Sequence, residues 1–490
     1  MIALTALLIL AVPATLGSYA KAREVLDAAR EAHGCASLAR LPQVEVPFTG
    51  QSFARNQSRR PDPPYDAARR DGRLVADLAR QRFVWEQTSF LPGGFDFSGR
   101  TILSGREGVR VEPGRRRRVP VRGTPAERHP LLVRALPAVQ LERAAARAAT
   151  LRWLGRLPFD GRDHDVITFA EESGAQLTLF VDPETHLVRK WDEVVSDAVA
   201  GDEVSEVLFA DYRRAYGVSF PRTRVRRVAG EVVESLAFGE PVKAGPPDPF
   251  IVGEELPLVE PPPAPPAVEA RPLADGVYLL TGLGPGGYNA LFVDLGGDVL
   301  VVEAPIDSAT ARVAIAKIKE TLPGKRIRWL ALTHHHEDHA GGAREFVAVG
   351  ATIVTTPGNV AFFRRMMTAK PTVAPDGLQA VPIEGWIETF PRERSFGVGP
   401  RRVELVNIGP SPHAEEMVVA WLPGPRVVFQ GDLLNAATAG GLDLFANEST
   451  VHFADWASRL SPAPAVVTGV HMGVGAAADL ARALEQLRAR

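Results

Sequence analysis

The chain has 490 residues, of which 45% are hydrophobic and 23% charged, which excludes a wholly disordered polyelectrolyte. Its 56 basic and 58 acidic side chains leave a formal charge of −2, so the whole chain has no bulk attraction for nucleic acid. A single cysteine rules out an internal disulfide and any metal site built from several cysteines. The length favours two folded units over one core.

Residues 1–20, MIALTALLILAVPATLGSYA, form an apolar run closed by Ser18-Tyr19-Ala20, a small-x-small ending that suits cleavage before Lys21, although no basic residue precedes the run. We read them as a signal peptide, which implies a periplasmic or secreted mature protein. No later stretch has the length and apolarity of a membrane span, so none is expected after cleavage. Cys35, in AREAHGCASLA, does not sit in a lipobox-like context and reads as a small buried residue.

Val25, Leu26, Ala29 and Ala32 recur at helical spacing between Lys21 and Gly34, predicting an amphipathic helix. A polar segment from Gly50 to Pro64 follows, and a second helix is expected over Tyr65 to Arg80. The segments RFVWEQTSF, GRTILSGREGVRVEPG, DVITFAEE, AQLTLFVDPETHLVRKWDEV and RTRVRRVAGEVVESLAF alternate like strands joined by Gly, Asp or Pro turns. Residues 21–240 are therefore expected to form an α+β domain with a largely antiparallel sheet. HLVRKWDEVV and DYRRAYGVSFP resemble pieces of periplasmic lipoprotein-carrier-like sheets. The run Arg115-Arg116-Arg117-Arg118 reads as a solvated hairpin edge, since no interleaved aromatic platform accompanies it. Prolines crowd residues 241–269, which we take as a stiff linker.

Beyond the linker, residues 270–490 alternate short apolar strands with helices at Ser308–Leu322, Ala343–Val349, Asn359–Ala369 and Ala476–Arg488, the signature of a layered α/β domain. Directly after the strand IRWLAL comes Thr333-His334-His335-His336-Glu337-Asp338-His339-Ala340-Gly341-Gly342. In extended backbone His334 and His336 project alike and can reach one metal, while Asp338 and His339 address a neighbouring position as the chain turns. Gly341 and Gly342 permit close backbone packing. His413 in GPSPHAEEM, Asp432 in VVFQGDLLN and His471 in VVTGVHMG each border a strand signal and can reach the same sheet edge. Imidazole and carboxylate donors suit zinc and also allow manganese or iron.

On these residues the final part of the chain, from about Ala270, resembles the metallo-β-lactamase superfamily. The resemblance implies an αβ/βα four-layer metallo-hydrolase sandwich holding two divalent ions. His334, His336 and His413 would hold the first ion, Asp338, His339 and His471 the second, and Asp432 would bridge them. It implies catalytic roles for Asp338 and Asp432 around a metal-activated water. Glu303, in VVEAP, stands where the family usually has Asp and would orient a histidine behind the ligands. No Gly-x-Ser-x-Gly element offers a competing serine hydrolase mechanism.

The expected substrate is a small molecule bearing an ester, lactone, lactam or phosphoester. His413-Ala-Glu-Glu departs from the loop of thioesterase-like members and weakens a thioester reading. Phe362, Phe363, Met366 and Met367 read as core or lid residues, Arg364 and Arg365 as exposed charges, and WIETFPRERSF as a candidate pocket wall. The alternative function is a periplasmic ligand-binding or envelope-maintenance module with an auxiliary metal domain.

Overall fold

The computed structural model describes residues 16–91, 95–105, 107–113, 116–121, 134–246, 248–251, 256–260, 267–434 and 447–488. Most of the apolar opening, together with Arg115 and parts of the proline-rich stretch, lies outside them. The chain separates into two compact units, one comprising Met1–Phe53, Ala67–Val195 and Val204–Pro261, the other Ala54–Asp66, Ser196–Glu203 and Pro262–Arg490. No described helix is long and apolar enough to cross a membrane.

The first unit is built on a 14-stranded sheet whose described pairings are antiparallel. Strand Val44–Phe53 shows why it forms: Val44, Val46 and Phe48 are buried while Pro47 and Thr49 are exposed, the period of two that aims one face at a core. Helix Leu16–His33 covers that core with Ala22, Val25, Leu26 and Ala29, and helix Pro137–Ala146 adds Ala138, Leu141 and Ala144. The first helix runs through Ala20, the expected cleavage point. Cys35 is buried, and burial pushes its thiol up to about 12, which keeps it protonated and inert.

The helix expected over Tyr65 to Arg80 is instead the strand Ala67–Asp77. It pairs over ten residues with Val44–Phe53 and on its other side with Arg82–Leu91, so two ladders override the helical pattern. Gly72 fits this position closely, because an added Cβ would lie 2.2 Å from the carbonyl oxygen of Glu86. Arg117 and Arg118 lie on strand Arg117–Pro120, which closes a hairpin with Glu107–Glu112; Arg117 pairs with Glu112 at 2.7 Å.

The second unit is a sandwich of two mixed sheets. Seven strands, from Glu269–Ala274 to Ile387–Thr389, form one sheet, and six, from Glu393–Phe396 to Met472–Ala476, form the other. An apolar core unites inward residues of both, among them Leu279, Val293, Val302, Leu405, Ala420 and Phe429. A second core joins the outer face of the seven-stranded sheet to helices, with Ala311, Ile315, Phe346, Phe362, Phe363 and Met366, so these aromatic residues are core. Val199 joins it from the short segment Ser196–Glu203. A third packs Phe453, Leu480 and Ala483 against Val428 and Val467. Arg344, itself buried, clasps the Asp376 carboxylate and donates to the carbonyls of Met366 and Met367, tying three helices together. Removing one partner of such a buried pair costs about 3–5 kcal/mol.

In the first unit His33 is fully buried, and its Nε2 accepts the Val188 N–H at 3.0 Å. Burial pushes its pKa from 6.5 down to about 3. The folded pKa lies below the unfolded one, so stability present above pH ~6.5 is lost as pH falls toward 3, at about 1.4 kcal/mol per pH unit. His33→Gln keeps an acceptor that does not titrate. Urea midpoints between pH 6.5 and 4 are expected to fall less in this variant than in the wild type.

Candidate metal centre

The histidine-rich loop sits where two parallel strands end. Strand Arg326–Ala331 runs out through Leu332 and Thr333 into His334, beside strand Asp298–Val302, which ends at Glu303. Glu303 is fully buried with φ of 88°, a left-handed conformation rare for a side chain of this size. The turn it begins is laced to the ligand loop: Ala304 N–H donates to the His339 carbonyl at 3.0 Å and Ile306 N–H to that of Asp338 at 3.1 Å. Gly341 makes this approach possible, since a Cβ there would lie 2.1 Å from the Ile306 carbonyl oxygen.

The three distant candidate ligands arrive on the six-stranded sheet. His413 lies in a loop after strand Val403–Asn407, where its backbone N–H donates to Ser411 Oγ at 3.2 Å. Asp432 follows strand Val427–Gln430, and the Gln430 side chain holds the next turn by accepting the Leu433 N–H at 2.7 Å. His471 follows strand Val466–Gly469 in a turn clasped by Asn289, whose side-chain amide donates to the carbonyls of Gly469 at 2.9 Å and Met472 at 2.6 Å. Tyr288 meets the His471 ring edge-on at 4.7 Å.

All seven residues expected from the sequence come together as two groups, His334, His336, His413 and Asp432, and Asp338, His339, His471 and Asp432. In the first, His413 Nε2 lies 3.1 Å from both His334 Nε2 and His336 Nδ1, and 3.2 Å from Asp432 Oδ2. In the second, Asp432 Oδ1 lies 3.1 Å from His339 Nε2 and 3.0 Å from His471 Nε2, while Asp338 Oδ2 is 3.6 and 3.5 Å from the same nitrogens. Asp432 thus sends one oxygen to each group.

These donor sets fit a divalent cation. Tetrahedral zinc with bonds of about 2.0–2.1 Å places its ligand atoms ~3.3 Å apart, close to the spacings found here. Buried Asp432 Oδ1 has ring nitrogens at 3.0 Å and 3.1 Å, a spacing at which either a proton or a shared cation can lie between them. Ring nitrogens that converge with no N–H between them are mutually repulsive unless a cation or a proton lies among them.

Behind the ligands, the other ring nitrogens are also held. His339 Nδ1 lies 3.0 Å from Glu303 Oε2, whose partner oxygen accepts the Thr333 N–H at 2.9 Å. His334 Nδ1 is 2.9 Å from Thr333 Oγ1, and His336 Nε2 is 2.9 Å from the Ser58 carbonyl. Such partners fix the tautomer and strengthen the ligand. Of the residues between the ligands, His335 is buried edge-on against Phe362, and half-buried Glu337 accepts the Asn56 side-chain amide at 3.3 Å. Of the expected pocket wall, Phe390 and Phe396 are buried in the core while Trp386 is 69% exposed.

The two groups differ electrostatically. Burial, together with the neighbouring imidazoles, holds His334 and His336 well below the usual histidine range. Burial would lower His339 as well, but Asp432 and Glu303 reverse this and raise it well above that range. At His471 burial is likewise overcome, by Asp338 and Asp432, which lift it to about 9. Asp432 is held low despite burial, chiefly by His339.

Sequence reasoning missed Asn289, Tyr288 and Thr333, although a polar Asn within the apolar strand Tyr288–Asp294 is a signal that could have marked the first. It also missed Asn56, Gln57 and Ser58, for which nothing local pointed to the site.

The family model for the metallo-beta-lactamase superfamily matches residues 283–489. Among solved structures, a metallo-beta-lactamase from Pontibacter korlensis aligns at 18% identity over 46% of this chain and 100% of its own, with a TM-score of 0.35. The DIM-1 metallo-beta-lactamase aligns at 19% identity over 46% of this chain and 99% of its own, also at 0.35. No curated protein matches the chain. The C-terminal part has a metallo-beta-lactamase-like fold, and its two His/Asp clusters support a metal-dependent hydrolase.

Two expectations follow. Filling the second group requires neutral His339 and His471, so bound protons must leave. Zinc affinity there should rise with pH up to about 9, by about tenfold per pH unit for each proton displaced, in chelator-competition titrations. Glu303→Gln should weaken the second ion about 10–100-fold in the same titration.

Proposed function

We propose that this protein is a dinuclear zinc-dependent hydrolase of small molecules carrying an ester, lactone, lactam or phosphoester bond. The observation that carries the reading is the convergence on Asp432, whose Oδ1 lies 3.0–3.1 Å from His471 and His339 while its Oδ2 lies 3.2 Å from His413 and 3.8 Å from His334. The all-nitrogen-and-oxygen donor set favours zinc and leaves manganese and iron as lesser choices. Three apolar cores, one between the sheets and one on each outer face, support a four-layer αβ/βα sandwich.

In this reading His334, His336 and His413 hold one ion, Asp338, His339 and His471 the other, and Asp432 joins them. When bound, two such ions lower the pKa of water, polarise a carbonyl or phosphoryl oxygen and stabilise the leaving group. The chain's own part is to hold these groups still and to manage the proton. Asp338 presents Oδ2 toward the second group, where it would help hold the ion and fix the position of the water to be activated. Asp432, kept ionised beside His339, supplies the negative charge shared by both ions. Burial, with Asp338 and Asp432 nearby, pushes Tyr288 up to about 12, and its ring packs edge-on against His471. His335 and Glu337 face other partners and take no proton from the reaction.

The opening apolar run and its small-x-small ending support export to the periplasm or medium. A second reading gives the first unit a ligand-binding role. It rests on a cavity of about 460 Å³ lined by Phe159, Asp160, Arg189, Glu206, Leu208 and Arg227, among others, a lining that suits a polar or charged ligand.

Elemental analysis of the full chain should find two zinc ions, and turnover on a panel of esters, lactones, lactams and phosphoesters should vanish with chelator and return with metal. His334→Ala or His413→Ala should lower occupancy of the first ion and reduce the rate at least about a hundredfold. Asp432→Ala should abolish the two-ion state. Bound metal with no turnover anywhere on the panel would favour the binding role.

A further inference from the structure

The loop Ala54–Asp66 joins strands Val44–Phe53 and Ala67–Asp77 of the first unit, yet it belongs to the second. Its own bonds fix its shape: Ala54 N–H donates to the Asp66 carbonyl at 3.0 Å, Arg59 N–H to Asp66 Oδ2 at 2.8 Å, and Asp66 N–H to Ser58 Oγ. Asn56, nearly buried, has φ of 61°. It accepts the Glu337 N–H on its carbonyl at 3.1 Å and gives its side-chain amide to Asp197 and Glu337, each at 3.3 Å. Arg55 pairs with Asp197 at 2.9 Å, and Arg365 with Asp62 at 2.8 Å. Toward the His413 loop, Glu415 N–H donates to the Arg59 carbonyl at 2.9 Å and Arg59 Nε to that of Ser411 at 3.2 Å.

Thus anchored, two consecutive residues meet one ligand from each metal group. The Ser58 carbonyl accepts from His336 Nε2 at 2.9 Å, which places the ring proton on Nε2 and leaves Nδ1 free to face His413. Gln57 Nε2 donates to Asp338 Oδ1 at 2.8 Å, while Oδ2 of the same carboxylate faces His339 and His471. Because an ionised carboxylate only accepts, the amide nitrogen must be the atom presented.

We propose that Gln57 and Ser58 are positioning residues of the metal centre. Ser58 sets the tautomer of His336, and Gln57 decides which oxygen of Asp338 serves as ligand. The proposal rests on the two-ion reading above and adds to it an outer contact from a segment some 280 residues upstream of the ligand it holds. Without the Gln57 hydrogen bond the Asp338 carboxylate can rotate, and only the second ion should feel the loss.

The test uses the full chain with Gln57→Ala and Gln57→Met, the second keeping the length of the side chain while removing the donor. Wild type and variants are titrated with zinc against a chromophoric chelator and with cobalt followed by its visible absorption. Both variants should bind the second ion about 10–100-fold more weakly, with the first unchanged. They should also lower kcat more than they change KM. Wild-type affinity for both ions in both variants would overturn the Gln57 assignment. So would an equal loss at both ions, which would mark a general role in folding, or retention by Gln57→Met alone, which would mark packing. If the wild type itself binds fewer than two ions, the dinuclear reading fails, and this inference with it.

Discussion

Ring nitrogens and carboxylate oxygens crowded within about 3 Å of one another must share protons or a cation. His413 Nε2 faces two other imidazoles at 3.1 Å, and His471 Nε2 faces a third at 3.3 Å. Everything around them holds these positions. Strand ends set their directions, the left-handed turn at Glu303 and the absent side chain of Gly341 let two backbone segments close on each other, and the sandwich core keeps those strands in register.

The two metal positions are not equivalent in the charge that supports them. Behind the first, His334 and His336 lean on neutral groups, a hydroxyl and a carbonyl. At the second, His339 leans on the Glu303 carboxylate, and Asp338 faces the position from the other side. A carboxylate partner makes an imidazole more basic than a carbonyl does. The second position therefore concentrates negative charge, and with it competition from protons, whereas at the first His334 and His336 are held neutral. The glutamate at 303 reaches both His339 and the Thr333 N–H from a residue of unusual backbone conformation.

The seven residues of the two His/Asp groups were legible in the sequence because they lie in a signature-like run or border apolar strands, where a polar residue has few structural duties. Glu303 could be read by the same rule. The antiparallel character of the first unit was also legible from alternation, but Ala67–Asp77 was not, since ARRDGR carries no apolar period and owes its extended form to the strands on either side. Gln57 and Ser58 lay beyond reach for a related reason. ARNQSRRPDPP announces only a polar turn, and the partners that give it meaning, His336 and Asp338, are contributed by sequence 278 and 281 positions away.

That separation bears on how the molecule can be assembled and how it can change. The chain crosses between its two units after Phe53, Asp66, Val195, Glu203 and Pro261, so five junctions join what a single cut near the proline-rich stretch would appear to divide. During synthesis, residues 54–66 leave the ribosome long before Glu337, Asp338 and Glu415 exist to receive them, and must wait with their hydrogen-bonding groups in water. Recombination at the proline-rich junction would likewise carry the histidines away without Asn56, Gln57, Ser58 and Val199. Inheritance of the site as a whole requires the two units to travel together.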